Sequence, residues 1–153
     1  MKILVVGAVA GGATALARLR RMDEDAEIIV FERGNYISYA NCGLPYYIGE
    51  AIKNRDSLFV SDKDTIEAKY GVEIRLNSNV SAINRDKKTV TVENILEDTT
   101  YEESYDKILL STGSSPFVSN PAWLDQNRVF KLWTIPDTDA IYDFIRRNSP
   151  KSA

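Results

Sequence analysis

Lys2-Ile3-Leu4-Val5-Val6-Gly7-Ala8-Val9-Ala10-Gly11-Gly12 decides how the chain begins to fold. Residues 2–6, Lys-Ile-Leu-Val-Val, are a short run rich in β-branched residues that ends in glycine. That is the pattern of a parallel strand buried on both faces. From Gly11 to Met22 the chain is rich in Ala, Leu and Arg, all strong helix formers. Ala13, Leu16, Ala17 and Arg20 share one face of this helix, and Thr14, Arg18 and Arg21 share another. Glu27-Ile28-Ile29-Val30-Phe31-Glu32 reads as a second buried strand, completing a strand–helix–strand unit of ordinary length.

The turn inside this unit is rich in glycine. In the pattern G-x-G-x-x-G the first glycine makes the turn, the second admits a pyrophosphate, and the third lets helix and strand pack closely. Gly7 and Gly12 take the first and third places, Val9 stands in the second, and Gly11 is an extra glycine. Glu32 ends the next strand, twenty residues beyond Gly12. Its carboxylate can accept both ribose hydroxyls of an ADP moiety, while amides around Gly11 and Gly12 bind the pyrophosphate at the helix N-terminus. Gly7, Val9, Ala10, Gly11, Gly12 and Glu32 are therefore candidate dinucleotide contacts, and Arg33 either stacks on the adenine or sits in solvent. The plain alternative is a tight strand–helix turn with no ligand.

Composition narrows the chemistry. The 153 residues suffice for one domain with a core, and 44% apolar with 27% charged residues is ordinary for a globular protein. A formal charge of -3 argues against nucleic acid or an anionic membrane as the main partner. No apolar run approaches the roughly 18 residues that would span a bilayer. The chain has no histidine, which removes a Cys–His dyad, a histidine metal site and a Ser-His-Asp triad; no metal site is read. The only cysteine, Cys42, cannot form an internal disulfide. A single thiol with no export signal fits the cytoplasm.

Further along, Asp62 to Tyr70 predicts a helix with Ser61 or Asp62 as N-cap and Gly71 as stop. Residues 72–75 predict a short strand. Residues 79–85, 89–94 and 100–105 predict an antiparallel meander turning at 86–88 and near 97–98. Lys107–Ser111 predicts a strand ending at Thr112-Gly113, where glycine permits close approach to a ligand. Residues 116–127 read as irregular, Val129–Leu132 as a strand, and Pro136 onward as a helix to about Asn148. That last helix has no strand after it, so a piece of a longer protein is expected.

Ser38-Tyr39-Ala40-Asn41-Cys42-Gly43-Leu44-Pro45-Tyr46-Tyr47 follows the second strand. With Glu32-Arg33-Gly34-Asn35-Tyr36-Ile37 before it and Ile48-Gly49 after, it closely resembles the FAD-binding start of coenzyme A-disulfide reductases. It is also similar to the related NADH oxidases and peroxidases that use one active-site cysteine. Val6-Gly7-Ala8-Val9-Ala10-Gly11-Gly12-Ala13-Thr14, Ser111-Thr112-Gly113-Ser114 and Pro136-Asp137-Thr138-Asp139-Ala140-Ile141 resemble segments of the same family.

The resemblance implies a Rossmann-like α/β FAD/NAD(P)-binding fold with a parallel sheet and a small antiparallel meander. Residues 1–153 would form a partial N-terminal FAD-binding domain without the NAD(P)-binding and dimerisation domains. It implies FAD as cofactor, NAD(P)H as electron source, coenzyme A as the thiol/disulfide substrate and a homodimeric parent. Cys42 would be the redox nucleophile. Thr14, Arg18, Arg21, Ser38 and Asn41 would form the coenzyme A site, and Asn41, Thr112 and Gly113 would contact the cofactor. The family carries a lysine in the helix near residue 70, where this chain has Tyr70 with Lys69 adjacent.

A lone thiol needs an external thiol or an oxygen atom to complete a two-electron cycle. It must also react as the thiolate, assisted by a nearby helix N-terminus or the flavin. Three alternatives stay open: an oxidase or peroxidase using a Cys42 sulfenic acid, a non-catalytic nucleotide-binding module, and an NAD-binding protein without flavin. Tyr36, Tyr39, Tyr46 and Tyr47 line a cleft in one reading and pack the core in another.

Overall fold

The computed structural model describes residues 1–120, 122 and 128–152. In chain order the elements are β1 (Lys2–Val6), α1 (Gly11–Met22), β2 (Glu27–Phe31), α2 (Leu44–Ile48), α3 (Lys63–Tyr70), β3 (Glu73–Arg75), β4 (Ser78–Asn84), β5 (Thr89–Asn94), β6 (Thr99–Ser104), β7 (Lys107–Leu110) and α4 (Ile135–Asn148). Short 3-10 turns occupy Asn41–Gly43 and Arg55–Leu58. The chain divides into two compact units: Met1–Tyr39 with Phe59–Gly113, and Ala40–Leu58 with Ser114–Ala153.

The first unit holds a parallel sheet in the order β3-β2-β1-β7 and an antiparallel sheet in the order β4-β5-β6. β1 is central, pairing Lys2 with Glu27 on one side and Ile3 with Lys107 on the other. Alternate side chains point to opposite faces of a strand, so an unbroken apolar strand must be covered twice. Ile3, Val5, Ile28, Val30 and Ile74 pack with Leu16 of α1 and Ile66 of α3. Leu4, Ile29 and Phe31 face the other way and pack on Val90 and Val92 of the meander. Each fully buried side chain of this size contributes about 1.5–3 kcal/mol. A doubly wound sheet carries helices on both faces; here the meander covers one of them.

Local signals place the ends of the helices. The Asp62 carboxylate accepts the Thr65 N–H at 2.8 Å and caps α3, which stops at Gly71 in the left-handed region (φ 59°). Arg20 is pulled off solvent by five carbonyls. It donates to Tyr70 and Gly71 at the end of α3 and to Asp23, Glu24 and Ala26 after α1. The bonds to Tyr70 and Gly71 satisfy carbonyls at the end of α3 that the helix leaves without internal partners, and the others hold the turn after α1.

In the second unit the Tyr47 ring of α2 stacks on the Tyr142 ring of α4, 4.9 Å between centroids. Arg55 grips the Asp139 carboxylate with two bonds of 2.8 and 2.7 Å. Thr134 and Asp137 form a reciprocal capping box at the start of α4, with Pro136 in its first turn. The strand expected at Val129–Leu132 is not formed. The described residues of this unit contain no strand for it to pair with, and Phe130 instead meets the Phe144 ring of α4 at 5.0 Å. Of the irregular stretch expected at 116–127, residues 121 and 123–127 lie outside the described residues. No helix among the described residues is long and apolar enough to cross a membrane.

The meander is tied to the sheet by charge as well as apolar packing. Glu103 of β6 accepts from Lys2 Nζ at 2.7 Å and from Arg75 Nη1 at 2.6 Å. Loss of solvent pushes the Glu103 carboxyl up, but the hydrogen bonds and charges of Lys2 and Arg75 outweigh this and hold it below the ordinary value. A lowered folded-state pKa contributes stability above the ordinary carboxylate value, and that contribution is lost as pH falls through the folded value. Glu103→Gln is expected to cost about 1–3 kcal/mol at pH 7. The gap to wild type should close as the pH falls below the ordinary carboxylate value and through the lowered folded one, read from denaturant unfolding at a series of pH values.

Candidate dinucleotide site and cysteine segment

Glu32 follows directly on β2 and is only 9% exposed. Burying a carboxylate is costly unless donors meet it. Here the donors are backbone amides. Ala8 N–H donates to Oε2 and Gly34 N–H to Oε1, both at 2.9 Å. No Lys or Arg among the described residues forms an ion pair with it. Each carboxylate oxygen has two acceptor directions, so one on each oxygen remains for further donors. The backbone of Glu32 is also fixed: its N–H donates to Arg75 O at 2.9 Å, and its carbonyl accepts the Ser78 N–H at 3.0 Å.

The glycine loop is folded tightly against the same carboxylate. Gly7 has φ 95°, a conformation that favours glycine, and its N–H donates to Phe31 O at 2.8 Å. A side chain at Gly7 would overlap the Ser111 carbonyl, and one at Gly12 would overlap the Gly7 carbonyl and crowd Val5. Gly12 thus serves the close helix–strand packing expected of the third glycine. The neighbour that makes Gly7 necessary is Ser111, just beyond β7, which the sequence pattern alone did not name. Ser111 Oγ also stands where a side chain on Gly11 would project. Only the need for close approach was visible in the sequence; the residue approached depends on the β1–β7 pairing.

α1 begins with no side-chain cap and no acid in its first turn. Its N-terminal amides and the positive end of its dipole therefore have no anionic partner from its own first turn. The loop and the following segment are laced together, since Ser38 N–H donates to Ala8 O at 3.0 Å and Ser38 is itself held at φ 49°. Ala8 thus links Ser38 and Glu32 through its carbonyl and amide.

The remaining candidates divide between the units. Thr14, Arg18 and Arg21 are exposed on α1, and Arg33 is exposed beyond Glu32. Thr112 and Gly113 are exposed after β7, with Gly113 at φ 66°. In the second unit Cys42 is a free, exposed thiol within the 3-10 turn that leads into α2. Asn41 beside it donates through Nδ2 to the Trp133 carbonyl at 3.1 Å. Of the four tyrosines, Tyr39 and Tyr47 are buried, Tyr36 meets the Phe59 ring at 5.4 Å, and Tyr46 is exposed.

The model of the pyridine nucleotide-disulphide oxidoreductase family matches residues 1–148. The chain belongs to that family. It is 41% identical over 152 residues to a coenzyme A disulfide reductase of Staphylococcus haemolyticus, covering 99% of this chain and 34% of the relative. The chain thus spans about a third of the length of the curated relatives it matches. The crystal structure of reduced Bacillus anthracis CoADR-RHD superposes with a TM-score of 0.94 at 46% identity, over 98% of this chain and 27% of that one. The water-forming NADH oxidase of Lactobacillus brevis, bound to NADH, gives 0.89 at 34% identity, over 95% of this chain and 32% of that one. Such agreement supports the α/β reading, with its parallel sheet and antiparallel meander, for members of this oxidoreductase family.

The glycines can be ranked by experiment. Gly12→Ala and Gly7→Ala force overlap with backbone and should each cost more than about 3 kcal/mol or prevent folding. Gly113→Ala meets open space and should cost only about 1–2 kcal/mol, the strain of its positive φ. Thermal melts of the three variants check this order.

Proposed function

We propose that residues 1–153 are the FAD-binding domain of a flavin-dependent oxidoreductase that reduces coenzyme A disulfide with NAD(P)H through Cys42. The observation that carries the nucleotide part is the buried Glu32 carboxylate, held by two amides and keeping an acceptor direction on each oxygen. Through Ala8 it is bonded to the loop that leads into the uncapped N-terminus of α1. The two ribose hydroxyls of an ADP moiety fit those acceptor directions, and a pyrophosphate fits the amides around Gly11 and Gly12. Val9 and Ala10 would flank it in the loop, Arg33 would take the adenine side, and Thr112 and Gly113 would border the cofactor.

FAD, when bound, supplies the two-electron carrier between NAD(P)H and sulfur. The steps belonging to this chain are binding and exchange. The Cys42 thiolate attacks one sulfur of coenzyme A disulfide, forms a mixed disulfide and releases one coenzyme A thiolate. Two electrons and a proton then return the thiolate and release the second coenzyme A as thiol. The exposure of Cys42 supports this role, because the attacking sulfur must reach a large disulfide. Arg18 and Arg21, exposed on one helix, would bind coenzyme A phosphates, with Thr14, Ser38 and Asn41 as polar contacts. The lone thiol supports a cytoplasmic enzyme, and the parent is read as a homodimer.

A second reading is favoured by the likeness to the Lactobacillus brevis NADH oxidase. In it Cys42 passes through a sulfenic acid and the acceptor is oxygen or peroxide.

Steady-state assays of the complete enzyme carrying this chain separate the readings. Coenzyme A disulfide should be the preferred acceptor, and Cys42→Ser should abolish its reduction while leaving FAD bound. A wild-type enzyme that consumes oxygen but not coenzyme A disulfide favours the oxidase. Undiminished disulfide reduction by Cys42→Ser overturns the role given to that thiol. For the nucleotide part, FAD and ADP should each raise the melting temperature of the chain and Glu32→Ala should remove the gain, because a ligand that binds only the native state stabilises it. No gain with either ligand contradicts the assignment.

A further inference from the structure

Arg75 touches none of the candidate ligand contacts through its side chain, yet it is the most heavily bonded cation near Glu32. Its Nε and Nη2 grip the Glu73 carboxylate at 2.6 and 3.1 Å. Its Nη1 reaches Glu103 at 2.6 Å and the Tyr101 hydroxyl at 3.1 Å, both on β6. Its guanidinium carbon lies 5.5 Å from the centre of the Phe31 ring and 5.7 Å from that of Tyr101. Phe31 is the residue before Glu32, and it is almost fully buried. The Arg75 carbonyl accepts the Glu32 N–H at 2.9 Å.

The turn that follows Arg75 also anchors the backbone around Glu32. Ser78 N–H donates to the Glu32 carbonyl, and Asn77 N–H donates to the Gly34 carbonyl at 3.2 Å. Asn77 in turn accepts from Ile95 N–H of the meander. Gly34 supplies one of the two amides on the Glu32 carboxylate. Displacing Arg75 would therefore shift the Glu32 backbone, the ring beneath it and the Gly34 amide together.

We infer that Arg75 is a positioning residue for the nucleotide site: by clamping β3 to the meander and covering Phe31, it fixes where the Glu32 carboxylate meets the ribose. This rests on the proposed nucleotide-binding role of Glu32. Residues that orient metal ligands typically change metal affinity by about 10–100-fold when removed, and that scale is carried over here to a ribose contact. Here the contact is held through backbone and packing, so the low end of that range, about tenfold, is expected.

The test is a double-mutant cycle on ADP affinity, measured calorimetrically on the folded chain below the melting temperature of every variant. Arg75→Met and the milder Glu103→Gln, which leaves Arg75 its Glu73 partner, are each combined with Glu32→Gln. Arg75→Met should weaken ADP binding about tenfold in the wild-type background, Glu103→Gln by less, and neither should weaken it further once Glu32 is replaced. Arg75→Lys, which keeps the charge, should recover part of the loss. If Arg75→Met does not fold, Glu103→Gln decides the question by the same cycle. Unchanged affinity despite lowered melting temperatures, or equal losses with and without Glu32, overturns the positioning role while leaving the nucleotide site intact. Failure of the wild-type chain to bind ADP or FAD overturns the proposed nucleotide site, and this inference with it.

Discussion

One buried carboxylate organises the glycine loop and the strand ends around it in the first unit of this chain. Glu32 stands at the end of an inner strand, mostly buried, and must find donors or destabilise the fold. It finds them in the Ala8 amide of the glycine loop and the Gly34 amide of the segment that follows. Those two bonds tie together three stretches that the sequence separates: the turn after β1, the end of β2 and the run toward Cys42. The loop must in turn pass close to its neighbours. Gly7 lies against the Ser111 carbonyl, and Gly12 lies against the Gly7 carbonyl. Side chains at these positions would push the Ala8 amide out of reach, so the glycines and the acid form one requirement. A carboxylate held only by amides keeps acceptor capacity that a salt bridge would have used, and that makes it suited to recognising hydroxyls.

The same economy explains the layers. β1 and β2 are apolar on both faces, so the sheet needs a cover on each. α1 and α3 provide one, through Leu16 and Ile66. The meander provides the other, through Val90 and Val92, and ionic contacts of Lys2, Arg75 and Glu103 fix its register on the sheet. Ion pairs this close to the surface add modest stability. Their larger effect is geometric, because they join the meander to the strand whose carbonyl holds Glu32.

What the sequence made legible was local. The apolar run of β1, the helix formers of α1, the acid after β2, the Asp62 cap and the Gly71 stop each express a short-range rule, and each is found within a residue or two of its expected place. The three meander strands were equally readable from their turns, with Lys88 and Asp98 adopting the positive φ that tight turns demand. What the sequence concealed was partnership across distance. Nothing in the string shows Ser111 beside Gly7, or Arg20 collecting carbonyls from two helices. Val129–Leu132 has the composition of a strand but no ladder to join, and pairing is what makes a strand. The cysteine segment was the reverse case: its chemistry was suggested by residue identity, while its local form, a 3-10 turn leading into a five-residue helix, had to be seen.

We propose that an ADP moiety lies on the loop that Glu32 organises. Backbone amide NMR of the isotopically labelled chain, titrated with ADP, tests this most directly. The largest shifts should fall on Ala8, Gly11, Gly12 and Gly34, with the meander tip at Asp86–Lys88 unmoved. Shifts that spare those four amides while saturating elsewhere would contradict the account.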